Sequence, residues 1–216
     1  PVLGFSDLEQ AGDALWWLVR PDNGRELAYT LGADVRRNPA PWILALLMMA
    51  PLVRWRGRLR RKIAEIAEKT SRANCCQFYP TLQTLLLSVL VTAVVPAALW
   101  FLAWRLSAEI DGSEWCRALG AGLASVAKVY LLFELLRQLC HAEGLGAAHF
   151  DWNPTGLKIL RGQLRWFLVI VLPLVFLSAA MRSQDSDRWR DSLGRLCVMA
   201  LGIAFAFLLQ RALRPG

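Results

Sequence analysis

Apolar residues along this chain gather into runs separated by short polar stretches, at about 41–55, 81–104, 115–140, 164–181 and 193–209. A hydrocarbon core ~30 Å thick is crossed by about 20 residues of helix at ~1.5 Å per residue, so the last four runs read as transmembrane spans. The first, beginning at Pro41, is short and leans on Trp42, Arg54 and Trp55 as interface anchors. Pro96 and Pro173 fall inside the second and fourth runs and predict kinks unless neighbouring groups satisfy the freed carbonyls.

Residues 1–38 differ in kind. They are mixed and polar, with six acidic and four basic side chains, and no span fits there. Phe5, Leu8, Leu15, Leu18 and Val19 suggest a short amphipathic helix, and Pro21-Asp22-Asn23-Gly24 a turn after it. We divide the chain into this polar segment, expected outside the membrane, and a membrane domain over 39–216. Beyond the first run, Trp55, Leu59, Ile63 and Ile66 recur at helical spacing among charged residues. That pattern fits either an amphipathic helix on the inner membrane surface or a solvated connector.

Charge orients the spans. The stretch from Arg54 to Lys62, RWRGRLRRK, has six basic residues in nine: Arg54, Arg56, Arg58, Arg60, Arg61 and Lys62. With Lys69, Arg72, Arg137, Lys158, Arg161, Arg165, Arg211 and Arg214, the segments assigned inside hold fourteen Lys/Arg, against three in the two short outer loops. Basic loops stay on the cytoplasmic side, so five spans follow, with the N-terminus outside and the C-terminus inside. The expected fold is an all-α membrane protein: a polytopic bundle of about five transmembrane helices plus the inner-surface helix.

Composition agrees, with 56% hydrophobic residues, ten Trp and a mean hydropathy of +0.35. The net charge of +8 sits near the ends of apolar runs, which favours anionic lipid over nucleic acid as its partner. Pro1 stands where a start Met would, and the chain reads as an excerpt from something longer. The five cysteines, Cys75, Cys76, Cys116, Cys140 and Cys197, lack paired CxxC spacing and read as free thiols.

Candidate chemistry is thin. Phosphate-loop, nucleophile-elbow and zinc-protease motifs are missing from the sequence. His141 and His149 lie beside Glu143 and Asp151 in one loop, but without a third fixed group they read as surface residues. No catalytic, metal or cofactor residue is assigned, and the chain is not read as an enzyme. Lys128, in mid-span, is expected to turn inward as a buried polar group bonded to neighbouring helices, and Glu134 to pair with Arg137 three residues on. Ala118, Gly120, Ala121, Gly122, Ala124 and Ser125 mark a face for close helix approach.

Three phrases resemble a known family in the same order: TLQTLLLS (81–88), GLGAAHFDW (144–152) and DSLGRL (191–196). They look like the inner-membrane domain of the large MscS-superfamily mechanosensitive channels, of the MscK/KefA and MscM type, over roughly residues 40–210. His149, Phe150 and Trp152 belong to the middle phrase. The resemblance implies extra helices preceding a channel core in one long polypeptide, assembled as a homo-heptamer and responding to osmotic stress. It implies as partners membrane lipids, other copies of the chain and that core. The extended Gly/Ala alternation of that family's pore helix is not seen here, so no pore residue is carried over. The alternative is a non-channel membrane module, either a transporter half or a scaffold; an intramembrane enzyme ranks third.

Overall fold

The computed structural model describes residues 5–73, 78–108, 113–140, 154–184 and 187–213. Every regular element among them is a helix: α1 (Phe5–Val19), α2 (Pro21–Arg37), α3 (Pro39–Ala73), α4 (Phe78–Ala108), α5 (Glu114–Leu139), α6 (Pro154–Arg182) and α7 (Asp187–Leu213). Cys75, Cys76, His141, Glu143, His149, Phe150, Asp151 and Trp152 lie outside the described residues.

Residues 21–24 form no free-standing turn. Pro21 opens α2 at a position where its missing N–H costs nothing, Asp22 sits in the first turn, and Arg36 and Arg37 close the last, each suiting the helix dipole. The Asn23 amide donates to the carbonyls of Trp17 (2.8 Å) and Leu18 (3.2 Å), so the predicted turn residue serves as the cap of α1.

The expected short span and the expected surface helix are one element. α3 runs 35 residues, through Pro51, without a break between Val53 and Arg54. Trp42, Ala45, Met49, Leu52, Arg56, Leu59, Ile63 and Ile66 alternate at spacings of three and four, and all are half-buried or buried. That repeat keeps one seam facing a partner helix, here α4. Trp55, placed on the buried stripe by its apolar character, is 51% exposed, and Arg56 occupies the seam position instead.

Among the described residues four helices are long and apolar enough to cross a membrane: Leu82–Ala108, Glu114–Leu139, Gly156–Arg182 and Leu193–Arg211. The run at 41–55 is not among them, because charge from Arg54 onward cuts its apolar stretch short.

Sequential helices are spatial neighbours. α3 packs on α4, α4 on α5, α5 on α6 and α6 on α7, with α1 against α7. The small residues of α5 make the close contacts expected of them, on two faces. A Cβ on Gly120 would lie 2.8 Å from Ser107 Oγ and 3.1 Å from the Ala103 carbonyl of α4. One on Gly122 would lie 2.6 Å from the Phe176 ring of α6. The buried cluster of Ala14, Ala118, Ala180, Met181, Leu193 and Cys197 joins α1 to α5, α6 and α7 at one end of the row.

Candidate functional site: a polar hub and the basic helix faces

Asp34 is the centre of the most connected polar group described. It lies in the last turns of α2 and is 1% exposed. Arg105, at the end of α4, grips it with two nitrogens, the Nε bond measuring 2.8 Å. Trp42 at the start of α3 donates its indole N–H to the same carboxylate at 2.8 Å, and the Asn38 amide does so at 3.2 Å. Backbone joins in: the Asn38 N–H donates to the Asp34 carbonyl at 2.8 Å.

Three helices therefore meet on one carboxylate. A buried charge stands only when it is paired and hydrogen-bonded, and Asp34 has both kinds of partner. The Arg105 guanidinium, helped by Trp42 and Asn38 and opposed by burial, holds the Asp34 carboxyl at about 2, down from 3.8. Trp42 also meets Phe101 edge-on, ring centroids 5.1 Å apart, so an aromatic contact reinforces the joint between α3 and α4. Nearby, Trp115 donates to the Leu18 carbonyl at 3.1 Å, and Ser113 caps α5 by accepting from the Cys116 N–H. The polar N-terminal helices are thus fastened to the same end of the row.

The opposite end is built differently. Of the six basic residues from Arg54 to Lys62, five are exposed; Arg56 is half-buried, with its Nε buried and unpartnered. Glu134, 3% exposed, accepts from Arg137 Nε at 2.8 Å, the pairing expected from the sequence. Lys158, Arg211 and Gln163 line the mouth of a crevice between α6 and α7.

Lys128 is exposed on this chain, and its ammonium lies 5.3 Å from the centre of the Trp100 ring of α4, itself 51% exposed. The expectation placed it among interior hydroxyls and carbonyls. The Trp100 π-face offers the cation a partner on the surface instead, so burial is not needed to satisfy it.

Sequence reasoning missed the hub, because Asp34 and Arg105 stand 71 residues apart and in different segments. A signal was present in Arg105, a basic residue closing a long apolar run beside an acidic loop, which needs a partner when its helix end is buried. The described residues hold no cluster of His, Cys, Asp and Glu able to bind a metal.

A row of antiparallel apolar helices with polar groups gathered at both ends is a multi-pass membrane domain. The chain belongs to the family described as "Mechanosensitive ion channel inner membrane domain 1", which matches residues 39–216. It is similar to the miniconductance mechanosensitive channel MscM of Escherichia coli (strain K12), 25% identical over 179 residues. That match covers 82% of this chain and 16% of the longer protein. No solved structure matches the chain. Its place is the bacterial inner membrane, as the three sequence phrases implied, and channels of this family are oligomeric.

Proposed function

We propose that this chain is the peripheral, tension-responsive membrane region of a large mechanosensitive channel subunit, and that the pore is formed elsewhere in the same polypeptide. The observation that carries this reading is the row itself. Gly120 and Gly122 bring α5 so close to α4 and α6 that an added methyl would overlap its neighbours, so both seams are closed at those two positions, which supports a pore placed elsewhere. In the most apolar stretches of the four spans only 17–39% of residues are buried, so most of their surface is offered to lipid or to other subunits.

Such a surface responds to tension if two arrangements of the row differ in their lipid interaction energy. In this reading α3 supplies a fifth crossing although its apolar stretch is shorter than those of the other four, so that the N-terminus lies outside and the C-terminus inside. The exposed faces of Arg54, Arg58, Arg60, Arg61 and Lys62 then meet the anionic inner leaflet. Each Lys or Arg near such a surface is attracted by roughly 1 kcal/mol, screened within about a Debye length. Seven copies assemble around the channel core that continues the polypeptide. The 16% share of the MscM relative supports a longer chain of this kind.

Patch recording on the full-length channel tests the reading. Changing Arg58, Arg60, Arg61 and Lys62 together to Gln should shift the threshold tension and leave unitary conductance unchanged. Altered unitary conductance, or pressure-gated current from residues 1–216 reconstituted alone, would place the pore within this chain and end the proposal.

A further inference from the structure

We propose that the crevice between α6 and α7 at their basic ends binds one anionic phospholipid with a hydroxyl-bearing headgroup, of the phosphatidylglycerol class. The crevice has a volume of about 570 Å³, within the usual range for a small-molecule site. Its depth is apolar: Phe167 is 7% exposed, while Trp166 and Phe207 on its walls are 73% and 61% exposed. These two rings line the crevice and stay open on its outer side. An acyl chain fits that character, since it needs contact area and no hydrogen bonds.

The mouth has the complementary chemistry. Lys158 and Arg211 approach it from different helices and supply donors and positive charge for a phosphate. Basic pockets between transmembrane helices are a recurrent solution for anionic headgroups. Gln163 selects further. Its amide nitrogen donates to the Arg211 carbonyl at 3.4 Å, while its Oε1 is buried with no partner. An orphaned acceptor calls for a donor, which an ionised phosphodiester is not and a glycerol hydroxyl is. The assignment rests on the membrane reading above only for which leaflet supplies the lipid; binding in detergent does not depend on orientation.

Native mass spectrometry of the detergent-purified full-length protein, offered phosphatidylglycerol, phosphatidylmethanol or phosphatidylcholine with matched chains, reads the site directly. Phosphatidylglycerol should be retained roughly tenfold more than phosphatidylcholine, and phosphatidylmethanol, equally charged but without a hydroxyl, should fall between them. Lys158→Gln with Arg211→Gln should abolish discrimination between charged and neutral lipids. Gln163→Ala should equalise phosphatidylglycerol and phosphatidylmethanol. Gly162→Leu should remove retention of all three, and because a Cβ there meets nothing within 4 Å, the protein should keep its thermal midpoint. Equal retention of the three lipids by the parent protein, or unchanged retention in the Gly162→Leu protein, would overturn the assignment. So would a photo-crosslinker at Trp166 that captures a peptide rather than a lipid in membranes. The Arg58/Arg60/Arg61/Lys62 quadruple variant should bind lipid here as the parent does, so the two proposals fail separately.

Discussion

Two buried carboxylates occupy opposite ends of the row, and each is gripped by an arginine. Asp34 takes its arginine from 71 residues away and ties α2 to α4, with Trp42 adding α3. Glu134 takes Arg137 from three residues along its own helix. The chemistry is the same and the structural consequence is not: the first bond fixes helices relative to one another, whereas the second satisfies a charge and leaves its neighbours free. One end of the domain is thereby specified by directional polar bonds between elements. The other carries the ion pair within α5 and a long bond from Gln163 to the Arg211 carbonyl, with most of its basic residues turned outward.

The hardest test of that contrast is Asp34→Ala. It leaves the buried Arg105 guanidinium without its carboxylate, which should cost about 3–5 kcal/mol, read as a lowered midpoint of thermal unfolding in detergent. Adding Arg105→Ala should recover part of the loss, because the stranded charge is removed too. A double variant as unstable as the sum of the singles would show that the hub is not one unit.

Gly122→Leu probes packing with no charge involved. Its Cβ would meet the Phe176 ring at 2.6 Å, so α5 and α6 must part or the ring must turn. Overpacking of this kind costs about 1–3 kcal/mol. A change under that range would mean that α6 yields easily and that the seam is looser than its distances imply.

Acid comes next. Because the Asp34 carboxyl is held at about 2 in the fold against 3.8 when unpaired, its contribution is complete above about pH 5 and is lost as the pH falls through 2. The shift corresponds to about 2 kcal/mol. Stability should therefore decline over that acidic window in the parent protein, and the decline should be shallower in an Asp34→Asn protein. The smallest effect is expected from Glu134→Gln, about 1 kcal/mol, since the half-exposed Arg137 can turn to solvent or headgroups when its partner is lost. A loss as large as that of Asp34→Ala would erase the contrast between the two ends.

Much of the architecture is legible in the residues. The apolar runs mark the long helices, the small residues of α5 mark its close contacts, and Glu134 three residues before Arg137 marks an ion pair, because all three signals are local. What escapes is whatever depends on which elements meet. Arg56 sits on the α3 seam and Trp55 off it because the repeat is set by the partner helix α4, and hydropathy ranks the two residues the other way. Lys128 finds Trp100 on an adjacent helix, a partner that no spacing within α5 reveals. Pro21-Asp22-Asn23-Gly24 has turn chemistry and opens a helix, because Asn23 spends its amide on the end of α1.

The 35 uninterrupted residues of α3 make a shaft about 52 Å long at ~1.5 Å per residue. Near its start Trp42 is clamped by the Asp34 hub and by Phe101. Its middle third carries the basic face, from Arg54 to Lys62. A tilt of about 5° about that clamp would move the far end through roughly 4–5 Å, most of a helical turn, and the seam through Ile63 and Ile66 would pass that displacement to α4. Pro51, which leaves the Leu47 carbonyl without its usual donor, divides the shaft into two arms and sets the point where it bends most readily.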